Sequence, residues 1–306
     1  MTTTQTVGSG KYTYDMITDW AQVPDGWKMP AAAVYGDSKD NVYCFNRDPE
    51  HPVMIFDRQG KFLSSWGANL FAFPHAIILD KDDNVWLVER NEGQIMKFTS
   101  DGKLLQTIGT KGYRSETGAD NTDFGSNGWK LVTKAGEPFN LPAGIALNPA
   151  GEVFIADGYA NAAVHKFAAD GSLIKSWGGP GSGPGQFNLP HGCWIDRKGR
   201  LFIADRENDR VQVFDQEGAH LATWPSKLIG PAVIYVDDED IVYVAEHNGG
   251  LISILTLEGE RLAQWGSLDH RSCHGIWVDS HKDIYVVEPP YANAGGRTVV
   301  KFVRKG

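Results

Sequence analysis

The sequence predicts an all-β chain folded as a single six-bladed β-propeller, and three observations predict it. A bulky pair recurs along the chain as Val42-Tyr43, Val85-Trp86, Val153-Phe154, Leu201-Phe202, Val242-Tyr243 and Ile284-Tyr285. The spacing is about 40 to 45 residues, the period of a four-stranded blade that buries its faces only against neighbouring blades. Each pair is followed by a third strand ending in Phe56, Phe98, Phe167, Phe214, Leu255 or Phe302, and in five repeats by a turn glycine: Gly60, Gly102, Gly171, Gly218 and Gly259. A composition of 42% hydrophobic residues with 35 Gly and 15 Pro in 306 residues suits a large core in turn-rich β structure.

Taken in order, the blades cover residues 30–67, 73–109, 140–178, 188–225, 230–266 and 272–303, with no domain boundary within 1–306. The fourth strands end near Trp66, Ile108, Trp177, Trp224 and Trp265. The sixth repeat stops after its third strand, at Phe302. The alternating pattern of 12–20 is expected to supply its outer strand and close the ring. Residues 110–137 form an insertion, read as a lid carrying Tyr113, Arg114, Trp129 and Lys130 or, equally, as a packed surface excursion. The segments 178–185 and 289–297 are expected to narrow the same mouth.

The net charge of −9 argues against a nucleic-acid partner, whose phosphates call for lysine and arginine. No apolar run reaches membrane-spanning length, and residues 1–10 are polar rather than a signal peptide. Cys44, Cys193 and Cys273 make no disulfide framework. A cytoplasmic protein, monomeric or weakly associating, is the expectation, with a secreted form that has lost a leader as the alternative.

The starts of the innermost strands carry the functional signal. They read Pro30-Ala31, Pro74-His75, Pro142-Ala143, Pro190-His191, Pro231-Ala232 and Cys273-His274, so histidine occupies blades two, four and six. Alternate blades of a six-membered ring lie about 120° apart and innermost strands line the central channel, so three imidazoles converge there. Three histidines with an open fourth position form a catalytic zinc arrangement. A lone histidine before a strand is ordinarily structural; the threefold set with alanine between its members points to metal. The other six, His51, His165, His220, His247, His270 and His281, show no such symmetry.

A second series follows the second strands: Arg47, Arg90, Gly158 with Tyr159, Arg206, His247 and Pro289. Successive strands are antiparallel, so this series shares a rim with the three histidines. Arg47, Arg206 and Arg90 are candidates to hold a substrate carboxylate, and Tyr159 to act as general base if nearby cations depress its pKa. For Arg90 the stronger alternative is a salt bridge to a neighbouring acid. Glu89, Asp157, Asp205 and Glu246 themselves read as structural turn residues.

The run Gly185-Gln186-Phe187-Asn188-Leu189-Pro190-His191, with Ala204-Asp205-Arg206-Glu207-Asn208-Asp209-Arg210-Val211-Gln212-Val213-Phe214 after it, resembles an NHL repeat. Together with Asn69 to His75, Phe45-Asn46-Arg47 and Ala156-Asp157-Gly158-Tyr159-Ala160-Asn161, it resembles more narrowly the peptidyl-α-hydroxyglycine α-amidating lyase domain of the peptide-amidating enzymes. The likeness spans nearly the whole chain. It implies zinc held by His75, His191 and His274, Tyr159 as base, and Arg47 and Arg206 on the substrate. The implied reaction cleaves the C–N bond of an N-acyl, peptidyl or ureido α-hydroxyglycine to an amide and glyoxylate, without a redox cofactor. Where the family has an aspartate after its last zinc histidine, implicated in a calcium site, this chain has Gly275, so calcium is not expected. Ala160 replaces a family cysteine, and Ser272-Cys273 a Met-Pro pair. The alternatives are a metal-dependent hydrolase of a small carboxylate-bearing substrate using zinc-bound hydroxide, and a non-catalytic NHL interaction scaffold. A calcium-dependent lactonase-like propeller would need carboxylates and Asn at the channel, where His and Ala stand instead.

Overall fold

Short runs of β-branched and aromatic residues joined by tight polar turns leave each repeat only one way to pair, as an antiparallel meander. In the computed structural model, which describes residues 5–119, 128–266, 273–288 and 299–306, these meanders form six sheets in a closed ring. The innermost strands are Ala31–Gly36, Pro74–Leu79, Pro142–Leu147, Pro190–Ile195, Pro231–Val236 and Gly275–Val278. The second strands, such as Val85–Glu89 and Leu201–Asp205, are buried along their whole length because a neighbouring blade covers each face.

The turn between first and second strands repeats six times with one mechanism. Asp37, Asp80, Asn148, Asp196, Asp237 and Asp279 each accept the backbone N–H groups two and four residues on, at 2.8 to 3.1 Å. At the outer ends a second repeated device joins one blade to the next. The aromatic residue closing an outer strand lies against the turn glycine of the following blade: a Cβ at Gly102 would stand 2.7 Å from Trp66, and one at Gly218 2.7 Å from Trp177.

Ring closure follows the expectation with one refinement and one addition. Tyr12–Ile17 pairs with Val299–Arg304, Met16 opposite Phe302, as the outer strand of blade six. The strand ends at Ile17, and Trp20 crosses to blade one, where its indole donates to the Arg58 carbonyl at 3.0 Å. The addition is Gln5–Ser9, a fifth strand beyond Tyr12–Ile17, formed from the polar residues that carried no strand signal in the sequence.

The described parts of the 110–137 insertion are tied to blade three. Thr117 Oγ1 donates to the Ala160 carbonyl at 2.7 Å, Asn140 Nδ2 to the Ser115 carbonyl at 2.9 Å, and the Gly136 N–H to Asn161 Oδ1 at 2.9 Å. Trp129 and Lys130 lie in a single 3-10 turn, Gly128–Leu131. Residues 120–127 and 289–297, assigned above to the mouth, lie outside the described residues, as does Pro289 of the rim series. The 178–185 loop is held by the Arg210 guanidinium, which donates to the carbonyls of Ser182, Gly183 and Gln186 at 2.6 to 3.0 Å.

Candidate metal centre

His75, His191 and His274 meet at one end of the channel, with one ligand atom from each lying within 4.8 Å of the others. All three are buried. Each ring is fixed by its other nitrogen: Nδ1–H donates to a backbone carbonyl of the next blade, His75 to Ala143 at 2.6 Å, His191 to Ala232 at 2.8 Å and His274 to Ala32 at 2.8 Å. A carbonyl only accepts, so the proton sits on Nδ1 and the lone pair on Nε2 faces the axis, the arrangement that orients imidazole ligands at metal sites. Burial, with the neighbouring imidazole and arginine charges, holds all three well below the ordinary histidine range and therefore neutral. The donor set fits a divalent metal with affinity for imidazole nitrogen.

The strand register corrects one alignment. In blade one Ala31 pairs with Asn46 as Pro74 does with Glu89, so Ala32, not Ala31, stands at the ring position of the histidines. The run Ala31-Ala32-Ala33 hides this one-residue shift. Close approach of adjacent inner strands is equally necessary: a Cβ at Gly192 would lie 2.4 Å from the Ala232 oxygen that anchors His191.

The rim series converges on the same centre. The backbone N–H of Arg47, Arg90, Arg206 and His247 each donates to the carbonyl just before an innermost strand, at 2.7 to 3.2 Å. In blade three this bond is made by Tyr159, to the Leu141 carbonyl at 3.3 Å, because Gly158 is one extra residue. Only glycine fits there, since a Cβ would lie 2.1 Å from the Pro190 oxygen. The Asp-Gly-Tyr sequence thus delivers the phenol to the imidazoles. Tyr159 Oη lies 3.2 Å from His75 Nε2 and 3.1 Å from His191 Nε2, and accepts from Arg206 Nη1 at 3.3 Å.

The three arginines differ in their surroundings. Arg206 also pairs with Glu207 at 2.9 Å. Arg47 lies over the Phe73 ring at 4.0 Å and donates to the Pro74 carbonyl at 3.4 Å. Arg90, expected to be held by an acid if not by substrate, is 4% exposed, with its guanidinium 3.9 Å from the Phe73 ring centroid and 4.6 Å from that of Tyr159. The acids are structural: Glu89 and Asp205 accept the N–H groups of Phe73 and Asn188 ahead of their innermost strands, as Asp157 accepts that of Asn140.

His247 is the rim residue that the sequence reading set aside. Its ring lies edge-on to His274 at 5.8 Å, and burial with the nearby Arg206 charge brings its pKa down to about 4. Its position in the rim series was the available signal. A Ser176–His165–Asp157 chain in blade three, with contacts of 2.7 and 3.2 Å, has a triad-like order but belongs to the frame. Gln264–Ser253–Glu246 occupies the corresponding strands of blade five, and Ser176 lies on an outer strand, away from the rim.

Below the imidazoles the channel is a small apolar cavity of about 50 Å³, with Tyr35, Trp194 and Tyr235 at its far end, Trp194 and Tyr235 packed at 4.8 Å. The polar groups that converge on the axis therefore lie at its rim end.

Fold and site together define an NHL-type six-bladed propeller with three imidazoles at its axis, and residues 139–167 match the NHL repeat family. The chain resembles the amidating lyases: it is 34% identical over 184 residues to peptidyl-α-hydroxyglycine α-amidating lyase 1 of Drosophila melanogaster, covering 56% of this chain and 30% of that protein. It is 28% identical over 226 residues to human NHL repeat-containing protein 3, covering 70% of this chain and 60% of that one. The chain thus spans 60% or less of the length of these relatives. Among solved structures, a streptogramin B lyase superposes with a TM-score of 0.60 over 97% of this chain and 90% of that one, at 14% identity, a likeness of fold alone.

Proposed function

We propose that the protein is a zinc-dependent carbon–nitrogen lyase that cleaves an N-acyl, peptidyl or ureido α-hydroxyglycine to an amide and glyoxylate. The observation that carries this reading is the placement of Tyr159 Oη between two of the three convergent imidazoles and Arg206. His75, His191 and His274 would hold the zinc, which when bound supplies Lewis acidity that makes a coordinated hydroxyl easier to deprotonate. Tyr159, acting as the phenolate, takes the proton of the substrate hydroxyl and becomes the neutral phenol, and Arg206, donating to the same oxygen, holds it in place. Arg47 and Arg206 hold the α-carboxylate; both lie on the rim, and both side chains present planar donors suited to it. Arg90, stacked between Phe73 and Tyr159, fixes the phenol ring. The C–O bond becomes a carbonyl as the C–N bond breaks, and the proton held by Tyr159 passes to the departing amide nitrogen. Resemblance to proteins named amidating lyases supports the reaction class.

The test is metal content together with glyoxylate release. Untagged protein should purify with one zinc per chain and release glyoxylate from N-acyl-α-hydroxyglycines, and chelation should abolish the release. Zinc without release would move the reading to hydrolysis of a small carboxylate-bearing substrate. Protein lacking stoichiometric zinc, and inactive after zinc addition, would leave a scaffold.

A further inference from the structure

His247 occupies the rim position that Arg47, Arg90 and Arg206 occupy in their blades, its N–H fixed by the Gly230 carbonyl at 2.7 Å. Among the described residues the metal donor set comprises His75, His191 and His274, and His247 is not a fourth member of it. Its Nδ1 is buried and has no hydrogen-bond partner among the described residues. A buried N–H without an acceptor is rarer and costlier than a bare lone pair, so the lone pair belongs on Nδ1 and the proton on Nε2. The residue as a whole is only partly buried, so the Nε2–H edge is the one turned toward the open side. Around the ring, Tyr159 is in blade three, Arg206 in blade four and His247 in blade five. A substrate whose hydroxyl faces Tyr159 and whose carboxylate meets an arginine has its amide left, and of the amide's N–H and acyl oxygen only the oxygen can accept a hydrogen bond.

We propose that His247 donates its Nε2–H to the acyl oxygen of the substrate amide, selecting N-acyl compounds and stabilising the amidate as it departs. The inference rests on the lyase reading above. As the C–N bond breaks, its electron pair moves to the amide nitrogen and is shared with the acyl oxygen, where an uncharged donor lowers the barrier without trapping the product. The proton removed from the hydroxyl returns to that nitrogen, so no co-reactant is needed.

The experiment compares wild type, His247→Ala and His247→Gln, each loaded with zinc and checked for metal content and melting temperature. Binding of the unreactive N-benzoylglycine and of its thioamide analogue is measured by calorimetry, since sulfur accepts hydrogen bonds poorly. Wild type should prefer the oxygen compound by about tenfold, the worth of one hydrogen bond. His247→Ala should lose the preference, and His247→Gln, which keeps a donor at a similar reach, should retain part of it. With ring-substituted N-benzoyl-α-hydroxyglycines, turnover of His247→Ala should depend more steeply on leaving-group acidity than that of wild type. Equal oxygen preference in wild type and His247→Ala, or equal slopes, overturns the inference while leaving a lyase. Absence of glyoxylate release by wild type overturns the lyase reading and the inference with it. If His247→Ala does not fold, His247→Leu, which keeps bulk without a donor, takes its place: loss of the oxygen preference is the expected result, and a preference equal to that of wild type overturns the role.

Discussion

Replacing Tyr159 with phenylalanine removes a single oxygen from the most crowded point of the rim. The ring itself has other supports, the Arg90 guanidinium at 4.6 Å from its centroid and that of Arg206 at 5.4 Å, so the side chain should keep its place. The imidazoles keep their Nδ1 anchors on Ala143 and Ala232, and zinc binding should persist. Stability should change by about 1 kcal/mol, the net worth of a typical hydrogen bond. Turnover should fall far more, by about 10² to 10⁴, which is the usual contribution of a positioned general base. At about 1.36 kcal/mol per decade this corresponds to roughly 2.7 to 5.4 kcal/mol of lost transition-state stabilisation. The Michaelis constant should change little, because Arg47 and Arg206 still meet the carboxylate. The assay is glyoxylate release from an N-acyl-α-hydroxyglycine, normalised to zinc content. Turnover within tenfold of wild type at full zinc occupancy would refute the assignment of Tyr159 as base. Parallel loss of zinc and activity would instead make the phenol a support for the imidazoles.

His191→Ala should weaken zinc binding by more than about 100-fold while the propeller still folds, as measured by metal titration and circular dichroism; retained occupancy would sink the three-histidine centre. Arg47→Ala and Arg206→Ala should raise the Michaelis constant about 10- to 100-fold for free α-carboxylates and much less for their esters, and equal effects on acid and ester would remove the carboxylate role. Gly218→Ala places a Cβ 2.7 Å from Trp177 on a backbone with φ of 82°, and should cost at least about 2 kcal/mol in denaturant unfolding; an unchanged midpoint would contradict the inter-blade contact. Metal-free protein should lose stability as pH falls below about 6.5, because the unfolded chain gains protons there that the buried imidazoles refuse. His247, folded pKa about 4, contributes over the window between the two values, so His247→Gln should flatten that slope in chemical unfolding at graded pH.

The blades and the alternate histidines were legible because a repeat compares each position with five others, and symmetry made His75, His191 and His274 stand out against alanine. What symmetry could not read is what the backbone carries. The Nδ1 anchors are peptide carbonyls, which no side chain announces, and in Pro30-Ala31-Ala32-Ala33 nothing distinguishes the anchoring residue from its neighbours. His247 stood in the rim series beside the arginines but received no role, because as a histidine it was weighed only against the metal triad, whose symmetry it lacks. The place of the Arg90 guanidinium between two rings, from blades two and three, was not legible because neither Phe73 nor Tyr159 is its neighbour in the sequence. Gln5–Ser9 lacked a signal because an outermost strand with solvent on its flank needs no apolar alternation.

The carbonyl anchors have a consequence for the seam of the ring. Blades two and four lean on blades three and five through continuous chain, but blade six leans on blade one, through His274 and Ala32, across the junction that no peptide bond spans in order. Any ion gripping the three imidazoles therefore draws on all six blades, three through their side chains and three through their oxygens, and opening the seam would release one of its ligands. Ion binding and ring closure are then linked equilibria. Metal should raise the unfolding free energy in proportion to the logarithm of its concentration above the dissociation constant, and loosening the clasp made by Tyr12–Ile17 should be felt at the axis as a weaker grip on the ion, far from the residues removed.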